Sequence, residues 1–155
     1  MIRALTEGAV TLRPLPVAEG SGPMAELAVQ GRPAPQPVPG AVLEAAFECD
    51  GRTLLFLTED VPHEDALQLH LLDERLQLLD SATLSSMYST GSFSFIGTEA
   101  PHSVRFHFFG GTDWTVELLD EPAMRLPLIS EPRGVHRRLG FTRHFKVHGR
   151  PQPEL

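Results

Sequence analysis

The chain has 155 residues, a net charge of −7, an apolar share of 41% and a charged share of 21%. Those values suit one globular domain whose core needs no disulfide or structural metal, and they exclude a disordered or fibrous chain. The single cysteine, Cys49, cannot close an internal disulfide. Flanked by Glu48 and Asp50, it is expected to be a small buried strand residue and not a reactive thiol.

The first residues lack the pattern of a signal peptide, and no apolar run approaches the roughly 20 residues of a membrane span. The expectation is a cytoplasmic protein without a membrane partner. Arginine outnumbers lysine twelve to one, a bias of GC-rich coding sequence that points to a bacterial source.

In chain order, residues 1–40 are expected to be a Pro/Gly-rich segment of the same domain, with short strands at Val10–Leu15 and Ala25–Val29. Arg32 to Gly40 carries proline at nearly every second place, so it is read as an extended connector barred from the middle of a sheet. Residues 41–132 should form an antiparallel β core. Val42–Cys49 and Thr53–Thr58 flank Asp50-Gly51, a dipeptide suited to the positive φ values of a tight hairpin turn.

Leu67, Leu69 and Leu71 alternate with polar residues, as do Leu76 and Leu78, which predicts a second hairpin around Asp73-Glu74. A helical stripe through Leu69, Leu72, Leu76 and Leu79, capped by Asp60, is the alternative. Ser81 to Gly91 reads as a polar loop. Phe93 and Phe95 then fall in strand register. Val104, Phe106 and Phe108, followed by Gly110-Gly111-Thr112-Asp113 and then Trp114, Val116 and Leu118, make the clearest hairpin. Leu126, Leu128 and Ile129 give one more strand. In the basic segment 133–155, expected to pack on the core, Phe141, Phe145 and Val147 share one strand parity and Thr142, His144, Lys146 and His148 the other.

The fold class is therefore mostly β: an antiparallel sandwich or small barrel of about eight to ten strands built from hairpins, with at most one or two short helices.

Charge is uneven along the chain. Residues 1–132 hold seven basic and nineteen acidic side chains, while 133–150 hold six basic ones and no acid. The acidic body repels nucleic acid and favours a basic partner. The candidate binding residues, read from charge density, are Glu59, Asp60, Glu64 and Asp65 on the body and Arg137, Arg138, Arg143 and Lys146 on the tail. The tail set could be an intramolecular or oligomeric clamp, or an anion contact.

No catalytic residue, metal site or cofactor is assigned. The seven histidines lack a ligand spacing, no Gly-x-Ser-x-Gly elbow occurs, and the paired carboxylates are sequence neighbours that a strand aims to opposite faces. The preferred function is a non-catalytic protein-binding domain, in the manner of an immunity, antitoxin-like or secretion-accessory protein, or one that self-associates. The alternative is a small-molecule-binding or hydrolytic protein with its site near loop 81–91.

Overall fold

The structure, a computed structural model, describes residues 1–16, 22–59, 66–85, 91–124, 131–132, 134–137 and 142–151. Asp50 and Gly51 both adopt positive φ, 53° and 82°, the geometry of a two-residue hairpin turn. They join β6 (Val42–Cys49) to β7 (Arg52–Thr58). The next pair, β8 (Leu67–Leu72) and β9 (Leu78–Leu84), is a hairpin too, and the helical alternative falls. Its loop is not a symmetric turn about Asp73-Glu74. The Asp73 carboxylate accepts from the backbone N–H groups of Arg75 and Gln77, and Leu76 takes a left-handed φ of 62°.

With β1 (Arg3–Ala4) and β13 (Val135–Arg137), these strands form a six-stranded antiparallel sheet in the order β1-β6-β7-β8-β9-β13. A second sheet has the order β10-β11-β12-β14, with β10 at Ser94–Glu99, β11 at Ser103–His107, β12 at Asp113–Met124 and β14 at Thr142–His148. The third is built on β3 (Met24–Val29), which pairs with β2 (Val10–Pro14) and with two short proline-bearing strands, β4 (Arg32–Pro33) and β5 (Val38–Pro39). Proline confines β4 and β5 to two-residue edges, as its missing N–H requires.

The three sheets stack with the six-stranded one in the middle. One of its faces, carrying Phe47, Leu54, Phe56, Leu67, Leu69 and Leu71, packs on Val104, Phe106, Trp114, Val116, Leu118, Phe145 and Val147 of the second sheet. The other face, carrying Ala46, Leu55, Leu57 and Leu72, packs on Val10, Leu27, Val29 and Val38 of the third. A sheet covered on both sides reads as continuous apolar sequence, which explains Leu54-Leu55-Phe56-Leu57. Each fully buried Leu, Val or Phe contributes about 1.5–3 kcal/mol.

Neither cluster closes into a barrel; the arrangement is sandwich-like and all-β, with no helix among the described residues. Fourteen strands occur among the described residues instead of eight to ten. The surplus comes from two- and three-residue edges, too short to show alternation in the sequence. The stretch expected as a loop from Ser81 is strand as far as Leu84. The strand expected at Leu126–Ile129 lies outside the described residues.

Trp114 is fully buried and its indole N–H donates to the Phe109 carbonyl at 2.9 Å. The tail alternation holds: Phe145 and Val147 are buried, and Lys146 and His148 are exposed.

Candidate functional site

Two places stand out: the free edge of β10, and a polar pocket where the third sheet stops short of covering the middle one.

The β10 edge follows from its sequence, Ser-Phe-Ile-Gly-Thr-Glu, which has no proline and no charge before Glu99. Among the described residues it pairs only with β11, and Ile96 is the extra residue of a bulge between Phe95 and Gly97. Phe95 and Ile96 are 46% and 39% exposed, two of only five large hydrophobics exposed among the described residues. Phe95 is continuous with the core. Its ring lies 5.4 Å from Phe47, which meets Phe56 at 5.6 Å, and Phe56 meets Phe106 at 5.1 Å. An aromatic chain therefore runs from the centre of the sandwich to its surface.

Other edges are blunted. β2 carries Pro14 and an Arg13–Glu26 ion pair, and β1, β4 and β5 are two residues long. β14 has carboxylates on its backbone: Asp80 accepts from the His144 N–H at 2.8 Å and Glu131 from the Val147 N–H at 3.0 Å. Charges, proline and short length are the usual protections of a sheet edge. β10 is six residues long and has no proline, and its protection is limited to Glu99 at its end and the bulge at Ile96.

The polar pocket has a volume of about 170 Å³, opens to solvent, and is lined by Pro39, Gln68, His70, Ser81, Thr83 and His136 among others. Cross-strand register builds it. Gln68 faces Thr83, His70 faces Ser81, and His136 faces Thr83. The Thr83 hydroxyl donates to the Gln68 carbonyl oxygen at 2.9 Å, and the Gln68 amide donates to Glu59 at 2.7 Å. His70 is 1% exposed, with Nδ1 2.9 Å from the Ser81 hydroxyl and Nε2 2.9 Å from the Pro39 carbonyl oxygen.

Of the charge-selected residues, four fall among the described ones. Glu59 accepts from Gln68 at the pocket margin, while Asp60, Glu64 and Asp65 lie outside the described residues. Arg137 turns inward: its side chain is 6% exposed, pairs with Asp80 at 3.0 Å and Glu131 at 2.7 Å, and donates to the Phe145 and Ser81 carbonyls. Arg143 is half-buried on β14 and Lys146 exposed, and Arg138 lies outside the described residues.

On the outer face of the second sheet, Asp113 binds Arg105 at 2.5 Å and His107 at 2.6 Å, and its carboxyl is held below the usual range, first by the His107 hydrogen bond and then by Arg105. The Cys49 thiol is pushed up by burial and by the neighbouring Asp50 carboxylate. Among the described residues, no group of three or more His, Cys, Asp or Glu could hold a metal, and no helix is long and apolar enough to cross a membrane.

Charge counting passes over Phe95, Ile96, His70 and Ser81. Alternation marks Phe95 as a strand residue, and only the sheet order shows that its strand is an edge. The His70–Ser81 pair depends on a register that the asymmetric Asp73–Gln77 loop sets. No family model, curated protein or solved structure matches the chain.

Proposed function

We propose that this is a protein-binding domain that recruits an extended segment of a partner protein by strand addition to β10. The observation that carries the reading is the proline-free edge itself, with Phe95 and Ile96 exposed on it. An incoming strand would pair with the free backbone groups of β10, and its side chains would cover Phe95. Burying those two side chains favours association by up to a few kcal/mol, from which the ordering of the segment is subtracted.

A different protein is favoured over a second copy. The bulge at Ile96 disfavours flat edge-to-edge pairing of identical strands, and two chains of charge −7 repel. The same charge would speed the approach of a basic partner. An immunity, antitoxin-like or secretion-accessory role in a bacterial cytoplasm fits a binder of this kind.

The test is affinity capture from an extract of the native host, using immobilised full chain and its Ile96→Lys variant. A lysine on the exposed edge should leave the fold and its melting temperature unchanged while abolishing capture of a defined protein. Equal capture by both chains would sink the proposal.

A further inference from the structure

Beyond partner binding, we infer that Ser81 is an activated nucleophile that accepts a small acyl group from an ester bound in the polar pocket. The Pro39 contact sets the tautomer of a neutral His70 ring. The Pro39 carbonyl oxygen can only accept, so the ring nitrogen 2.9 Å from it, Nε2, carries a proton. In the neutral ring Nδ1 then holds a lone pair, and the Ser81 hydroxyl at 2.9 Å is the group that donates to it. Nucleophile, base and a third group orienting the base stand in one line, the arrangement that activates a serine. The base is clamped inside the sheet at 1% exposure, while Ser81 is half-buried and lines the pocket.

The chemistry balances without a cofactor. The Ser81 oxygen attacks the ester carbonyl carbon as its proton passes to His70 Nδ1. The tetrahedral adduct collapses, the carbon–oxygen bond to the leaving alcohol breaks, and that alcohol takes the proton from Nδ1. Water then attacks the Ser81 ester, gives a proton to Nδ1, and the acid leaves as the serine oxygen recovers that proton. Gln68 and His136 line the same pocket, and amide and imidazole N–H groups are the kind of donor a developing oxyanion takes. A cavity of about 150 Å³ holds a benzene, so a pocket of about 170 Å³ has room for a short acyl group.

The experiment treats the full chain with excess p-nitrophenyl acetate and, separately, a fluorophosphonate, followed by intact mass and peptide mapping. One adduct per chain on Ser81, absent in Ser81→Ala, is expected. In His70→Gln, checked for fold by circular dichroism, labelling should slow about 10²–10⁴-fold, the usual worth of a general base. If that variant does not fold, Ser81→Cys replaces it: its thiol should be alkylated by iodoacetamide far faster than a free cysteine at the same pH. No adduct on Ser81, unslowed labelling of a folded His70→Gln, or an ordinary thiol in Ser81→Cys would each overturn the inference.

Discussion

The guanidinium carbon of Arg137 sits 4.2 Å above the centre of the Phe145 ring. Arg137 belongs to the edge strand of the middle sheet and Phe145 to the edge strand of the second, so this contact closes one end of the sandwich. The rest of the guanidinium is spent on Asp80, Glu131 and two backbone carbonyls. The same two carboxylates cap N–H groups of β14. One arginine thus organises both the docking of the C-terminal strand and the protection of its edge.

Arg137→Ala should be among the most destabilising single changes. It leaves Asp80 and Glu131 buried or half-buried without their cation, a loss of about 3–5 kcal/mol for a buried pair broken from one side. Arg137→Met, which keeps most of the packing on Phe145, should lose nearly as much, because the stranded carboxylates dominate. Urea denaturation of the three chains checks this. If Arg137→Met matched the parent, packing and not charge would hold the strand.

The tail was legible as a strand, and its partners were not. Phe145 and Val147 alternate with Lys146 and His148, so burial follows from period alone. Arg137 is another matter. A run of six cations without an acid allows an intramolecular clamp, an oligomeric one or an anion contact, and the acids that neutralise Arg137 lie 57 and 6 positions away, at Asp80 and Glu131. Charge counting along the chain misses such pairing. Gln68 and His70 fail for a related reason: alternation places them on a solvent face, whereas both are buried and Pro39 lies against His70. The Asp50-Gly51 hairpin was legible because its turn chemistry is local.

Asp113 should titrate below an ordinary aspartate. His107 and Arg105 favour its charged form, so its folded pKa lies under its unfolded one. Its contribution to stability is therefore complete above the unfolded pKa and is lost as pH falls through the folded value. Carbon-detected titration of the Asp113 carboxyl should show the low midpoint, rising toward the ordinary value in concentrated salt, which screens exposed pairs. A midpoint at or above the ordinary value would contradict the His107–Asp113–Arg105 geometry.

Cys49 should be inert in the folded chain. It is 1% exposed and its thiol is held protonated by burial and by Asp50. Ellman's reagent should react with it only as fast as the protein opens, and with full stoichiometry in denaturant. Fast reaction at neutral pH without unfolding would mean that the Cys49 end of β6 is open.

Strand addition at β10 is tested most directly by site-specific photo-crosslinking. A benzophenone amino acid placed at Phe95, in the full chain expressed in the native host, should yield one discrete adduct with another protein upon irradiation. The same probe at Leu78, 41% exposed on β9, should yield none, and Ile96→Lys should erase the Phe95 adduct. An adduct of twice the chain mass, an identical pattern at both positions, or no adduct at Phe95 would contradict recruitment of a partner strand at this edge.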